Sequence, residues 1–165
     1  MFQSQTYGKV DYEGVAKGLQ DFYARTKQFD TPFQITVGTD SQSFSKETKI
    51  VSVIAAHREG HGGVFFYEVT HLDKISNVKR KLTEETSRSI ETATTLVDAL
   101  EAKTEYAKMR DDSVISIHVD AGWSEKGKTK ELIPMLVGWI KATGFDALVK
   151  PDSYAASSIA DKISK

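Results

Sequence analysis

Three β-rich stretches follow one another with connections too short for a crossover helix, and this order restricts the chain more than any other feature. They are FQITVGTDSQ from Phe33, KIVSVIAAHR from Lys49 and VFFYEVTHL from Val64, the last two separated by the Gly-rich turn EGHGG. Phe33, Ile35 and Val37 alternate with polar residues, the period of a strand. Parallel pairing needs a long connection, so neighbours this close in sequence are expected to pair antiparallel, as a meander. The first strand is expected to end near Asp40.

The pattern then changes to helix and strand in alternation. A helix is expected from about Val78 to Lys103, with Leu82, Ile90, Ala93, Leu96, Val97 and Leu100 on its apolar stripe. SVISIHVDAG, nearly continuous in apolar and β-branched residues, reads as a strand covered on both faces. TKELIPMLVGWIKATG reads as a helix closed by Gly144, FDALVKP as a short strand and SYAASSIADKIS as a last helix. Residues 1–30 read as a leader plus one helix through Val15, Leu19 and Phe22. The expected fold is α/β: a mixed five-stranded sheet, three antiparallel strands then two parallel additions, flanked by helices. That is the order of an RNase H-like fold. Its 165 residues suit one domain, 1–165, with a 1–30 leader and a core over 33–165.

Composition narrows the chemistry. With no Cys there is no thiolate zinc site, iron–sulfur cluster or thiol nucleophile. A formal net charge of −1 does not advertise nucleic acid, so phosphate binding has to rest on local clusters. No apolar run reaches membrane-span length, and MFQSQTYGKV has no signal-like apolar stretch, so a cytoplasmic location is expected.

Two aspartates stand near the ends of strands expected to run parallel. Asp40 follows Gly38-Thr39, and Asp120 precedes Ala121-Gly122. Both are expected at the carboxyl edge of the sheet, where ligands gather; each also suits an ordinary turn start. On the long helix, Glu85 lies roughly 85° from the centre of the apolar stripe, whereas Glu84 and Glu91 lie roughly 150° or more away. Glu85 is therefore the early-helix carboxylate aimed partly at the sheet. Asp152 opens the last helix on the face of Ala156, Ile159, Ala160 and Ile163, where it also suits an N-cap. Asp161, roughly 160° from that stripe, is the alternative fourth carboxylate. Carboxylates gathered in one pocket raise each other's pKa unless a cation neutralises them. Mg²⁺ or Mn²⁺ meets that need, and two ions roughly 4 Å apart hydrolyse phosphodiesters. In that scheme Asp40 bridges both ions, Glu85 and Asp120 hold the first, and Asp152 holds the second.

VGTDSQ, KLTEE, HVDAGWSEKGKT and KPDSYAASSIADK resemble the YkuK-type proteins, a group of predicted RNase H-related nucleases, over about residues 33–165. The resemblance implies an RNase H-like fold and a metal-dependent nuclease acting on RNA, DNA or a hybrid. It also implies a carboxylate, often Glu in the family, at the position of Asp152.

A rival reading comes from residues 122–129, GWSEKGKT, which match the phosphate-cradling loop G-x-x-x-x-G-K-[ST]. Read that way, Lys128 and Thr129 would serve nucleotide hydrolysis, but the meander upstream and the one short strand downstream suit a doubly wound nucleotide fold poorly. A milder version keeps Lys126, Lys128, Lys130 and Thr129 as a substrate-phosphate site, with Trp123 stacking on a base. A non-catalytic RNase H-like module that binds nucleic acid is the remaining alternative. The four His do not stand at zinc spacing. His118, on the strand face of Asp120, reads first as a buried, hydrogen-bonded residue and otherwise as a neighbour of the site.

Overall fold

The structure, a computed structural model, describes residues 1–122 and 127–150. Its strands are β1 (Phe2–Ser4), β2 (Gly8–Val10), β3 (Phe33–Ser43), β4 (Glu47–His57), β5 (Gly63–Asp73), β6 (Ser113–Gly122) and β7 (Asp146–Lys150). The helices are α1 (Tyr12–Thr26), α2 (Val78–Glu101), α3 (Ala107–Asp112) and α4 (Lys128–Ala142). One sheet holds the strands in the order β2-β1-β5-β4-β3-β6-β7. The expected antiparallel meander is β3-β4-β5, and β6 and β7 add in parallel beyond β3.

The sheet has seven strands among the described residues, and the expectation of five is corrected by the first ten residues. These form a β1–β2 hairpin, with Gly8 at φ +71, that docks on β5 through Gln3 and Tyr67. The segment is too short to show a period, and only docking on a neighbouring strand gives it a partner. Phe2 goes into the core against Tyr12, so the segment ahead of the expected helix is an edge extension of the sheet. Asp11 then caps α1, its side chain accepting from the Gly14 amide.

Alternation along β3 sorts its residues onto two faces. Phe33, Ile35 and Val37 enter the main core with Ile54, Ala56, Phe66 and Ile117, beneath α1, α2 and α4. Burying each such side chain stabilises the fold by about 1.5–3 kcal/mol. The opposite face carries Gln34, Thr36, Gly38 and Asp40, beside Val51, Val53 and Ala55 of β4. The β3–β4 register runs without a break from Gln34 to Ser43, so Asp40 lies within the strand, opposite Val51, and does not end it. In contrast, the β3–β6 ladder stops at Gly38 and His118. Two residues further along this register lie Asp40 and Asp120, where the central parallel strands have parted.

Candidate active site

Asp40 and Asp120 each stand two residues beyond the last β3–β6 pair, at the carboxyl end of the two central strands. Asp40 is 8% exposed. Asp120, on the face opposite the core residues Val119 and Ala121, is half-buried. Its Oδ1 lies 2.9 Å from Lys150 Nζ. Lys150 reaches it because β7 rejoins β6 at Gly122, after a register shift beyond His118. The approach is so close that a Cβ on Gly122 would lie 2.9 Å from Lys150 Cβ and 3.2 Å from its carbonyl oxygen. The glycine in Asp-Ala-Gly is thus required by backbone contact, and it sets the cation against the acid.

Glu85 comes from α2, whose inward face is Leu82, Glu85, Thr86, Ser89, Thr92, Ala93, Leu96 and Leu100. A stripe drawn through apolar residues alone is mis-centred here, because Thr86, Ser89 and Thr92 also face the sheet. Glu85 accordingly sits inside the buried face, 8% exposed, and not at its margin. Ser41 Oγ donates to Glu85 Oε1 at 2.6 Å. One helical turn on, Ser89 bonds to Thr39 at 2.8 Å, and Thr39 to Ser52 at 3.2 Å. This hydroxyl chain ties β3, β4 and α2 together beneath the carboxylates. Burial pushes the Glu85 carboxyl up to about 8; the Ser41 hydroxyl opposes this, the negative charges of Asp40 and Asp120 add to it, and Lys81 counters weakly. Glu85 therefore senses both aspartates, although it approaches from the helix side of the sheet and they stand on the other.

Among the described residues, no three Asp, Glu or His side chains are close enough together to hold a metal ion as they stand. In kind, however, the donor set fits one. It is all oxygen and partly buried, and burial, with the nearby negative charges adding, holds one carboxyl toward its neutral form, a condition a hard divalent cation relieves.

Glu84 instead pairs with Arg88 at 2.8 Å, and Glu91 faces solvent. Gly127, at φ +67, precedes α4, and Thr129 in its first turn is half-buried. Trp123, Lys126, Asp152 and Asp161, with the side chain of Lys128, lie outside the described residues. Sequence reading missed Lys150. The signal for it was Gly122, a small residue at a strand end where another backbone has to pass.

His118 is 4% exposed, and among the described residues neither ring nitrogen has a hydrogen-bond partner, which corrects the expectation of a hydrogen-bonded core residue. Burial, and to a lesser extent nearby His57, lower its pKa to about 4.

The ribonuclease H-like family model matches residues 15–165. The chain belongs to the ribonuclease H-like family. It is 29% identical over 171 residues to "Uncharacterized protein YkuK" of Bacillus subtilis (strain 168), covering 100% of this chain and 97% of that one. No solved structure matches it. The YkuK resemblance and the mixed α/β sheet flanked by helices both agree with this membership. Membership carries a nuclease-like or nucleic-acid-binding role. No described helix is long and apolar enough to cross a membrane.

Proposed function

We propose that this protein is a metal-dependent nuclease that hydrolyses phosphodiester bonds of RNA, DNA or a hybrid in the cytoplasm, with Asp40, Asp120 and Glu85 as its acidic centre. The observation that carries this reading is the buried Glu85 carboxyl, pushed up to about 8 first by burial and further by the negative charges of Asp40 and Asp120. A protein gains nothing in stability from such repulsion, and sites that keep it are commonly functional. Mg²⁺ or Mn²⁺ held by these carboxylates, with Asp152 or Asp161 as the fourth, would activate a water and stabilise the leaving oxygen.

The chain's own residues prepare that chemistry. Asp40 is fixed by an unbroken β3–β4 ladder and cannot swing far. Ser41 holds one Glu85 oxygen and fixes its rotamer. Lys150 neutralises Asp120 and must release it before that carboxylate can take a cation, so Lys150 competes with the metal. Trp123, Lys126, Lys128 and Thr129 follow Asp120 in the chain and are proposed to grip the substrate phosphate and a base.

The test is cleavage of labelled RNA, DNA and hybrid substrates in Mn²⁺ and Mg²⁺. Activity that needs metal and vanishes in Asp40→Asn and Asp120→Asn, with folding intact, supports the reading; cleavage that survives both substitutions removes it. The Lys150–Asp120 pair favours a second reading, a binding module whose acidic centre is closed by its own lysine. That reading expects no rise in melting temperature with Mn²⁺, whereas a working metal site expects one.

A further inference from the structure

Four of the six buried side-chain polar atoms that lack a partner among the described residues belong to three residues: Thr36 Oγ1, His57 Nδ1, and both ring nitrogens of His118. These residues line one cavity of about 540 Å³, on the sheet face that also bears Asp40 and Asp120. Buried polar groups are almost always satisfied, and each one left bare costs about 1–3 kcal/mol. Such a concentration in one cavity is the mark of a site that receives its partners from a ligand.

We propose that this cavity binds a nucleobase of the strand that the acidic centre acts on. The inference rests on, and deepens, the nucleic-acid reading above. A neutral imidazole offers one donor and one acceptor, and a threonine hydroxyl offers both. The cavity therefore asks for a ligand that also mixes donors and acceptors, as the edge of a nucleobase does. It is not built for phosphate. Among the described residues its one cationic lining residue, Arg58, directs its guanidinium to the Thr26 hydroxyl and the Thr31 carbonyl and lies over the Tyr23 and Phe33 rings. Glu59 adds a carboxylate to the lining. Pro32 and Leu148 supply apolar surface for the faces of a ring. The volume falls within the range usual for small-molecule sites. From Thr36 to Asp40 the strand advances about 13 Å, the length of roughly four stacked nucleotides. A strand lying along this face can thus seat one base in the cavity while a phosphodiester farther along reaches the carboxylates.

The test uses the full chain in EDTA and the four free ribonucleosides as probes, followed by the imidazole ¹⁵N signals of His57 and His118. At least one nucleoside is expected to shift both histidines saturably, while ribose 5-phosphate leaves them in place. Thr36→Val, which keeps the side-chain shape, is expected to weaken that nucleoside by about fivefold without unfolding the chain. His118→Gln serves as a second variant with the same expectation. The inference is overturned if no nucleoside moves the histidines, if ribose 5-phosphate moves them equally, or if both variants bind as the parent does. A parallel Mn²⁺ cleavage assay separates it from the nuclease reading. Cleavage lost in Asp40→Asn with unmoved histidines removes only the base site. Nucleoside binding by a chain that never cleaves leaves the base site standing and removes the nuclease.

Discussion

The two faces of the central sheet treat buried polar groups in opposite ways. Under α2, every hydroxyl named along β3 is tied: Thr39 to Ser52 and Ser89, and Ser41 to Glu85. On the other face, Thr36, His57 and His118 carry buried polar atoms without a partner among the described residues, while Asp120 pairs with Lys150 where the strands part. Polar groups that find partners inside the fold hold elements together. Those left wanting a partner cost stability and mark where a ligand or ion belongs. Glu85 straddles the division, bonded from the helix side and repelled from the other.

That contrast is most sharply tested by substituting on one face and reading the other. Asp40→Asn is expected to lower metal-dependent cleavage by about 10³-fold, with a melting temperature at or above that of the parent because one repulsion is gone. An unstable Asp40→Asn would place this residue on the structural side. Leu96→Ala, under the helix-covered face, is expected to cost about 2–5 kcal/mol in urea unfolding. Its folded fraction should keep the parent's nucleoside affinity. A loss of that affinity would mean the two faces are not separable.

Glu85 sharpens the comparison through pH. Its carboxyl is raised from 4.5 to about 8 in the folded chain, so between those values the native state holds more protons than the unfolded one. Stability should therefore fall as pH rises through that window, by at most about 1.4 kcal/mol per unit, and level off above 8. Glu85→Gln should flatten this slope, and urea midpoints measured in EDTA from pH 5 to 9 would show it. A slope unchanged in the variant would mean that Glu85 is not the group responsible. The smallest effect belongs to Lys150→Ala. Its pair with Asp120 is partly exposed and is worth no more than about 1 kcal/mol. Removing it should tighten Mn²⁺ binding severalfold, read as a larger thermal shift at the same metal concentration. Weaker Mn²⁺ binding would overturn the view of Lys150 as a competitor.

Much of the frame was legible in the residues. Short connections make the meander antiparallel, the strand period sets which β3 residues enter the core, and the helix period separates Glu84 and Glu91 from Glu85. The misreadings have specific causes. Phe2 and Gln3 belong to strands too short to display a period, so only docking on β5 reveals them. The inward face of α2 contains threonines and a serine, so hydrophobicity alone placed Glu85 too far out. His118 was recognisable as buried, but whether its nitrogens are satisfied depends on what stands opposite in three other strands.

Taken alone, the sequence determined the order of strands and long helices from β3 to β7, the mixed pairing of the sheet and the acidic residues available to a site, because period and connection length are local properties of the chain. The tertiary structure decided that β3 and β6 part after Gly38 and His118, that Lys150 meets Asp120 beside Gly122, and that Thr36, His57 and His118 share one cavity. Those outcomes depend on register between strands that are far apart in the chain. A displacement of one residue would turn each of these side chains to the other face.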